Sequence, residues 1–522
     1  MSPRVLASLQ SSPLVAQVFL IGAGRLLSSA PPKCAFLQEE GGLAAGRTWN
    51  ALLPRVRTRF LLLLDNGELN LGPFALERLL EAATTTGAGM VYADRWEPGS
   101  CERVLHPVND YQLGSVRDTF EFGPLQLFDM HAVQTALRQH GQLTDSLVAG
   151  GYELRLKLSL VASLFHLPEA LCTLPCEEAT PNLFAYQEPQ RQAAEREMET
   201  VLTAHLCRLG ALVRPPFQAA PAPRTHFTVA ASVIIPVRNR VGTVGAAVQS
   251  ALSQRTDFPF NVIVVDNHST DGTTALLAKL ARDKRVVHLR PVRDDLGIGG
   301  CWNEAVASPQ CGRWAVQLDS DDLYSEADSL QRLVELMRHE RLAMAVGAYT
   351  VVNAELKEIP PGLVAHREWT EDNGPNNALR VNGLGAPRAF DTALMRRFPF
   401  PNVSYGEDYA VALRLCRQYR VGRIYESLYL CRRWEGNSDA TLPLGERNRN
   451  DAFKDTLRTL EIIARQRRNR GEPTQGEPQV RGRTASEVAG RAACTPGASD
   501  KQEVPSWNVP RPGRNVPPQG QR

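Results

Sequence analysis

Acidic residues stand at three places in the sequence where they could bind a cation or move a proton. Asp266 closes the apolar run N-V-I-V-V-D, a D-S-D-D motif at 319–322 follows W-A-V-Q-L, and Glu407 and Asp408 lie in Y-G-E-D-Y. Three carboxylates within four residues repel one another unless a cation or hydrogen-bond donors offset their charge. Oxygen ligands of this kind suit Mg²⁺ or Mn²⁺ shared with a diphosphate. The D-S-D-D motif is therefore a candidate metal site.

Each acidic site also has a simpler interpretation. The D-S-D-D motif alone is also typical of a solvated turn, and Asp266 could cap the following helix instead of accepting a hydrogen bond from a uracil-like base. Glu407 and Asp408 precede a helical pattern, where acidic side chains commonly complement the helix dipole. A carboxylate near the sheet edge could instead take a proton from an incoming hydroxyl group. The order and spacing of the motifs separate these interpretations.

The elements expected around these motifs alternate between strands and helices. Residues 232–237 and 261–266 are short apolar runs that end in polar residues, as buried parallel strands do. Between them, apolar residues from Val244 to Leu252 recur at helical spacing, and 314–318 predict a strand leading into D-S-D-D. This alternation predicts a doubly wound α/β sheet that binds ligands beyond the carboxyl ends of its strands.

Five motifs occur in a fixed order between Ser232 and about Thr441: S-V-I-I-P-V-R-N-R, V-I-V-V-D-N-H-S-T-D-G-T, L-G-I-G-G-C-W-N-E-A, L-D-S-D-D and Y-G-E-D-Y. In this order they resemble a family 2 glycosyltransferase domain of the GT-A type. The resemblance implies an α/β fold with a Rossmann-like mixed sheet flanked by helices. It also implies inverting transfer of a sugar from a nucleotide-diphosphate sugar to a hydroxyl group of a glycan or other acceptor, with Mn²⁺ or Mg²⁺ as cofactor.

The resemblance also implies roles for particular residues. Asp319 and Asp321 would form the D-x-D pair, with Asp321 the more direct metal ligand. Asp408, second carboxylate of the E-D pair after Glu407, would be the general base. The nucleotide-sugar site would comprise the base contact Asp266, Pro236, Arg238, Asn239, Asn303 and Asp319, with Arg432 and Arg433 closing over the diphosphate.

Two departures from the family pattern leave the third metal ligand open. Asp295 stands before L-G where relatives commonly carry Asn, and no His lies near Trp434, where relatives often have one. His268 and His366 are the nearby alternatives by sequence. A lone His is more often a surface or core residue than a ligand.

Composition excludes several classes of protein. The 522 residues predict two to four domains at roughly 100–200 residues each, and 43% hydrophobic residues exclude fibrous and wholly disordered classes. With 59 basic against 56 acidic residues, the chain lacks the basic excess of a nucleic-acid binder. The scattered cysteines favour reduced thiols over a disulfide framework or a zinc site. The apolar run at 13–22 is shorter than the roughly 20 residues that span a bilayer, so the sequence predicts a cytoplasmic protein.

Two changes of composition divide the chain. Residues 214–228 contain four prolines and predict a linker, and the Pro- and Gly-rich stretch 465–522 is typical of a disordered tail. Folded regions are therefore expected at 12–213 and 229–464, the second of them catalytic. The tail carries 11 basic and 5 acidic residues, which leaves the body mildly acidic. We expect from the tail at most a weak, salt-sensitive contact with the inner face of the membrane.

The first region repeats part of the second. Residues 41–69 align with 295–323 at an offset of 253 to 254, so that Asp65 corresponds to Asp319. Later, F-D at 128–129 aligns with 390–391, and G-G-Y-E-L-R-L-K-L aligns with Y-G-E-D-Y-A-V-A-L-R. The first region thus resembles a degenerate, inactive copy of the same fold in tandem, because Gly67 replaces Asp321 and cannot ligate a metal. Acceptor binding, pairing with the catalytic copy and a structural buttress all remain open as its role.

Two other classes of protein share single features with this sequence. A non-catalytic scaffold that binds nucleotide sugars or glycans would not need D-x-D and E-D together, so their joint presence favours an enzyme. A nucleotidyltransferase shares the sheet and the metal chemistry, but no Gly-rich phosphate loop of the G-x-G-T-R kind opens the second region. The sequence leaves donor sugar, base, acceptor and oligomeric state open, although cell-envelope or exopolysaccharide glycan synthesis is the commonest setting for such relatives.

Overall fold

The computed structural model describes residues 3–22, 31–39, 41–65, 67–99, 102–175, 189–223, 226–434 and 442–472. The first region begins with α1 (Pro3–Ser11) and ends with α6 (Pro189–Arg208). Two 3₁₀ helices, Gly42–Ala44 and Leu53–Arg55, flank its second helix. In chain order the elements after α1 are β1 (Val18–Gly22), β2 (Cys34–Gln38), α2 (Gly46–Leu52), β3 (Phe60–Leu64), β4 (Asn70–Leu71), α3 (Ala75–Thr86), β5 (Met90–Pro98), β6 (Arg103–His106), β7 (Leu125–Asp129), α4 (Met130–His140), α5 (Gly150–Leu158) and β8 (Leu164–Thr173).

The second region contains the remaining strands and helices. None of the helices within the described ranges is both long and apolar enough to cross a membrane. The elements are β9 (Ala231–Val237), α7 (Val244–Leu252), β10 (Phe260–Asp266), α8 (Thr273–Leu280), β11 (Val286–Leu289), α9 (Ile298–Ala307), β12 (Trp314–Gln317), β13 (Leu323–Tyr324), α10 (Ser329–Glu340), β14 (Met344–Val352), β15 (Glu358–Val364), α11 (Gly374–Asn377), β16 (Arg388–Asp391), α12 (Thr392–Arg397), α13 (Glu407–Cys416), β17 (Val421–Arg432) and α14 (Leu444–Asn469).

The sheet of the second region is mixed. Its strand order is β11-β10-β9-β12-β16-β14-β17-β13, with β15 paired to β14. The first four strands run parallel, as the alternating strand and helix pattern predicts, whereas β16 runs antiparallel to both of its neighbours. The carboxyl ends of β10, β9 and β12 therefore lie side by side at one edge, where ligands bind in sheets of this kind.

The apolar runs of the second region are continuous because helices cover both faces of its parallel strands. Val233 on β9 packs against α7 in one core cluster, and its neighbour Ile234 belongs to the cluster on the opposite face, with Trp302 of α9. Both β9 side chains are fully buried. A strand covered on both faces loses the polar and apolar alternation of a one-sided strand.

The sheet of the first region repeats the later strands of the second. Its order is β3-β7-β5-β8-β4 with β6 on β5, which matches β12-β16-β14-β17-β13 with β15 on β14. The strand directions agree pair by pair. Met90 pairs with Phe128, and Met344, 254 positions later, pairs with Phe390. The tandem arrangement expected from the sequence is therefore visible in the topology.

Two segments differ from the predicted linker and tail. The linker packs on the second region, where the Ala220 N–H donates to Arg341 O at 2.7 Å. Helix α14 continues to Asn469, so the boundary predicted at 464 falls too early. Arg465 is fully buried and its Nε lies 2.7 Å from Glu461 Oε1. Buried ion pairs give no apolar periodicity in the sequence. The sequence pattern therefore did not indicate that the helix continues beyond residue 464. Residues 473–522 lie outside the described residues.

Helix α14 contacts both regions along its length. Asp455, buried at its centre, accepts from Ser115 Oγ at 2.9 Å and pairs with Arg117 of the first region at 3.3 Å. On the other side Arg458 pairs with Asp455 at 2.7 Å and donates to Tyr409 Oη of α13 at 3.0 Å. This chain of buried polar contacts joins the first region to the helix that carries the E-D pair.

Candidate active site

The D-S-D-D motif follows β12 at the carboxyl edge of the parallel strands. The Asp319 carboxylate accepts from Gln317 Nε2 at 3.0 and 3.1 Å, while the Asp319 N–H donates to Tyr429 Oη at 3.0 Å. Asp322 accepts from the Arg432 N–H at 2.8 Å. The acidic turn is therefore held in place by β17, the strand that ends at Arg432.

The carboxylates of this turn carry like charges and repel one another. Burial raises the pKa of Asp319 above its ordinary value. Burial, followed by repulsion from Asp319 and Asp321, raises the pKa of Asp322 well above its ordinary value. A divalent cation would relieve this repulsion, so the carboxylates fit Mn²⁺ or Mg²⁺. Across the described ranges no three His, Cys, Asp or Glu side chains converge on a metal position, and such an ion would complete its shell with substrate or water oxygens.

The E-D pair occupies the first turn of α13. Glu407 is buried and the pKa of its carboxyl is raised to about 7 by burial and by repulsion from Asp408. Burial also works to raise the pKa of Asp408, but Arg388 and then Lys454 outweigh it, and the pKa lies below its ordinary value. The Asp408 side chain keeps 29% of its surface exposed, so an acceptor can reach it. Two neighbouring carboxyls with pKa values pushed apart are typical of acid and base roles.

Arg388 connects the two acidic motifs. Its Nη1 lies 2.6 Å from Asp408 Oδ2, and its positive charge also acts on Asp319. The charge of Asp319 in turn contributes to the raised pKa of Glu407. D-x-D and E-D, almost ninety residues apart in the sequence, therefore belong to one electrostatic site.

The loop after β9 and the loop after β10 are bonded to each other. Asn239 has a φ of 54°, and its side-chain oxygen accepts from the Thr270 N–H at 2.8 Å. The Asn239 N–H donates to Ser269 Oγ at 3.0 Å. Pro236 is half-buried at the end of β9, and Arg238 is exposed beyond it. The three predicted nucleotide-site residues are thus brought to the same edge as D-x-D.

Asp266 is fully buried at the end of β10, and its carboxylate accepts hydrogen bonds from other residues of the protein. Its carboxylate accepts from the Ser269 N–H at 3.1 Å and from Thr274 Oγ1 at 2.5 Å, with His288 Nε2 at 3.3 Å. Burial works to raise its pKa, but these hydrogen bonds outweigh it and the pKa is lowered. The structure thus shows the loop-capping role, and contact with a base stays a prediction.

Asn303 is bonded to the backbone of the loop before α13, and its place in the nucleotide-sugar site stays a prediction. Its Nδ2 donates to Phe400 O at 2.8 Å, and its Oδ1 accepts from the Phe400 N–H at 2.9 Å. Asn50 makes the same pair of bonds to Leu143 in the first region, at 2.8 and 3.3 Å. In both regions the side-chain amide of the Asn donates to and accepts from the backbone of one residue. Asn303 and Asn50 are therefore structural clamps that tie a helix to a distant loop.

Neither histidine considered as a third metal ligand joins the D-x-D carboxylates. His268 Nε2 lies 2.8 Å from Arg293 O, and His366 Nδ1 lies 2.7 Å from Glu368 Oε1. In the described part of the chain neither ring forms a three-ligand group with Asp319 and Asp321.

The basic segment at the end of β17 lies beside the loop that follows β9. Arg432 Nε donates to Asp321 O, and the Arg433 N–H donates to Val352 O at 2.7 Å. Trp434 is stacked under Arg240, with the guanidinium carbon 5.9 Å from the ring centre. The rest of the motif, 435–441, lies outside the described residues.

Sequence reasoning missed Arg388 and Lys454, the two cations around Asp408. Arg388 opens β16 and Lys454 comes from α14, so neither is near a motif in the sequence. Lys454 Nζ lies 4.3 Å from the centre of the Tyr405 ring, and burial lowers its pKa to about 8. The sequence carries no signal for either residue, because burial of a charged side chain does not show in the sequence.

This mixed sheet flanked by helices, with D-x-D and E-D at one edge, is a GT-A-like fold. The family model described as "Glycosyl transferase family 2" matches residues 232–403. Among curated relatives, an uncharacterized glycosyltransferase of Rickettsia felis is 26% identical over 199 residues, which cover 38% of this chain and 32% of that one. TuaG of Bacillus subtilis, a glycosyltransferase provisionally named for teichuronic acid biosynthesis, is 25% identical over 195 residues, or 37% of this chain and 75% of that one.

Solved structures also match the chain. TarS 1–349 of S. aureus in complex with UDP-GlcNAc has a TM-score of 0.32 and 20% identity, over 46% of this chain and 73% of that one. The mannosyltransferase PcManGT of Pyrobaculum calidifontis, in complex with GDP-Man and Mn2+, has a TM-score of 0.32 and 17% identity, over 54% and 86%. The chain spans only about a third of the length of the Rickettsia relative.

Proposed function

We propose that the second region transfers a sugar, with inversion, from a nucleotide-diphosphate sugar to an acceptor hydroxyl group, and that it requires Mn²⁺ or Mg²⁺. The observation that carries this proposal is Arg388, which pairs with Asp408 and attracts Asp319. Through it the carboxylates suited to a metal and a carboxylate suited to proton transfer share one site. A binding scaffold would have no use for both.

Asp408 is the proposed general base. It is ionised at neutral pH, because Arg388 lies 2.6 Å away and holds its pKa low, and its exposed part can accept the proton of the acceptor hydroxyl. The hydroxyl oxygen bonds to the anomeric carbon while the bond from that carbon to the diphosphate oxygen breaks on the opposite face. Attack opposite the leaving group inverts the configuration, and no covalent enzyme intermediate is needed.

Asp319 and Asp321 are the proposed holders of the cation, which when bound supplies positive charge to the departing diphosphate. Arg432, which donates to Asp321 O, and its neighbour Arg433 are the proposed source of further positive charge for the diphosphate. Arg238 and Asn239, at the end of β9, are the proposed contacts of the nucleotide. The buried Glu407 keeps a proton near neutral pH and so avoids a second full charge beside Asp408.

The proposed setting is glycan synthesis at the cell envelope, inside the cell. It is supported by the name of TuaG, which refers to teichuronic acid. The acceptor would then be a growing glycan presented at the membrane surface.

The test uses the purified full chain with UDP- and GDP-sugars, each with Mn²⁺, with Mg²⁺ and with a chelator. Hydrolysis and binding are measured separately, by nucleotide release and by thermal shift. We expect metal-dependent release with one donor, lost in Asp321→Ala and kept in Asp372→Ala, an exposed acidic control. Donor binding without release in any condition would favour a scaffold, and release that survives Asp321→Ala unchanged would refute the metal site.

A further inference from the structure

A short loop of the first region contacts helix α14 through a buried arginine. Arg117 keeps only 4% of its surface exposed and pairs with two carboxylates of the helix. Its Nε lies 3.3 Å from Asp455 Oδ1, and its Nη2 lies 3.4 Å from Asp451 Oδ2. The loop itself is fixed by Arg155 of α5, which donates to Ser115 O at 3.0 Å and to Arg117 O. The first region therefore presents one firmly held positive charge to α14.

One of these two carboxylates, Asp451, is a neighbour of Lys454, the cation beside Asp408. Residues three or four positions apart are adjacent on a helix surface, so Asp451 and Lys454 share one face of α14. Burial lowers the pKa of Lys454, whereas the negative charges of Asp408 and Asp451 oppose this shift. Both carboxylates therefore attract the same ammonium group, one toward α13 and the other along α14.

The ammonium group of Lys454 lies against the loop that leads into α13. Its Nζ donates to Asn382 O at 2.5 Å and lies 4.3 Å from the centre of the Tyr405 ring. Arg458 holds this arrangement from the same helix, since it donates to Asn382 Oδ1 at 2.6 Å and pairs with Asp455 at 2.7 Å. Asp455, the second carboxylate paired with Arg117, therefore anchors the residues around the ammonium group.

We propose that Arg117 is a positioning residue for the general base. By pairing with Asp451, it offsets that negative charge, so that the Lys454 ammonium group stays beside Asp408. Without Arg117, Asp451 is left uncompensated, as happens when one partner of a buried ion pair is removed, and it draws Lys454 away from the base. This inference rests on the proposed function, and it gives the first region, which lacks both acidic motifs, a part in catalysis.

The test uses the full chain and the UDP- or GDP-sugar that gives metal-dependent release. Arg117→Met should lower kcat by about tenfold or more and leave the donor KM unchanged, because the base is disturbed and the donor edge of the sheet is not. Adding Asp451→Asn to this variant should restore kcat to within about threefold of the parent, since it removes the competing charge. A kcat that stays low in the double variant would overturn the proposal.

Arg95→Met is the matched control. Arg95 is buried to a similar extent, and its ion pairs, with Glu97 at 2.7 Å and with Glu121, lie within the first region. The variant should lower Tm as Arg117→Met does, because each removes a buried cation from its partners, and it should leave kcat unchanged. An equal loss of kcat in both variants would mean that stability alone is responsible, which would overturn the proposal.

Amide hydrogen exchange separates this inference from the proposed function. Residues 405–410 should exchange about tenfold faster or more in Arg117→Met than in the parent, and at the parental rate in Arg95→Met. Unchanged exchange in Arg117→Met would overturn the inference whether or not the chain transfers sugar. Faster exchange in a chain that transfers no sugar from any donor would support the coupling and refute only the proposed function.

Arg117→Lys replaces Arg117→Met if the latter does not fold. It keeps the buried positive charge, but a single ammonium group does not present separate donors to two carboxylates as a guanidinium group does. We therefore expect about a threefold loss of kcat, again restored by Asp451→Asn. Parental kcat in the folded Arg117→Lys variant would overturn the proposal.

Discussion

The two regions keep the same structural clamps. Gly46 approaches Thr144 so closely that an added Cβ would lie 1.9 Å from its carbonyl oxygen, and Gly299 approaches Pro401 O to 2.0 Å in the same sense. Asp129 caps α4 as Asp391 caps α12, by accepting backbone N–H bonds. Together with the Asn clamp, the glycine contacts set how one helix meets one loop in each region. The helix is α2 or α9, and the loop is the one before α5 or α13. Packing has been retained in both regions.

The chemistry differs between the two regions. Helices α5 and α13 occupy equivalent places, and Gly150 and Gly151 stand where α13 has Glu407 and Asp408. An added Cβ on Gly150 would meet Gly46, just as the Cβ of Glu407 lies against Gly299. The first region therefore lacks E-D as well as D-x-D. The first region therefore keeps the packing contacts of the fold and lacks the carboxylates that we propose do the chemistry.

The largest contrast should come from the general base. Asp408→Asn removes the proton acceptor and should lower the rate of sugar transfer by about 10²–10⁴-fold, measured as kcat with saturating donor. Gly151→Asp, which places a carboxylate at the equivalent site of the first region, should leave the rate unchanged, because no metal motif lies beside it. Transfer at the parental rate in Asp408→Asn would move the base role to Glu407 or elsewhere.

A second contrast concerns the metal carboxylates. Asp321→Ala should lower turnover by about 10²–10³-fold, the range for loss of one electrostatic contact to developing charge, and should weaken the response to Mn²⁺. Asp65→Ala, at the position equivalent to Asp319, should leave turnover nearly intact, since Asp65 is exposed and Gly67 stands where the second region has Asp321. Comparable losses in both variants would show that the first region is active.

Replacing a buried glutamate by Gln should change the free energy of unfolding in opposite directions in the two regions. Glu407 binds its proton up to about pH 7 in the folded chain but only to about 4.5 when unfolded, so its ionisation lowers the free energy of unfolding as pH rises between those values. Glu407→Gln should therefore raise stability above neutral pH by up to about 3 kcal/mol. Glu153 instead pairs with Lys157 at 2.8 Å, and Glu153→Gln should cost about 3–5 kcal/mol. Denaturant titrations at several pH values measure both, and a loss of stability in Glu407→Gln would contradict the raised pKa.

The smallest contrast tests the clamps. Gly46→Ala and Gly299→Ala should each destabilise by about 1–3 kcal/mol, because a backbone oxygen must move away from the new methyl group. Only Gly299→Ala should also reduce turnover, since it displaces the loop before Glu407. Equal effects on turnover would mean that the first region positions the active site as directly as the second does.

The sequence was sufficient to predict the parallel strands, the D-x-D and E-D motifs and the repeat, because each rests on local runs or fixed spacing. It could not predict that Asn303 is a clamp, since the bonds to Phe400 depend on a loop almost a hundred residues away. Nor could it predict Arg388 or Lys454 beside Asp408, because charges brought together by tertiary packing leave no pattern along the chain. The buried, ion-paired end of α14 was hidden for the same reason.

Helix α14 has a consequence for the order of synthesis. It is the last element of the described chain, yet it supplies Lys454 beside the E-D pair and Asp455 to Arg117 of the first region. Domains generally fold as units from the N-terminal end during synthesis. Here both regions make buried contacts with the same helix, which is synthesised after them. The proposed active site therefore becomes complete only after nearly the whole described chain has left the ribosome. A fragment that ends at residue 403 would contain the matched segment without Glu407, Asp408 or Lys454.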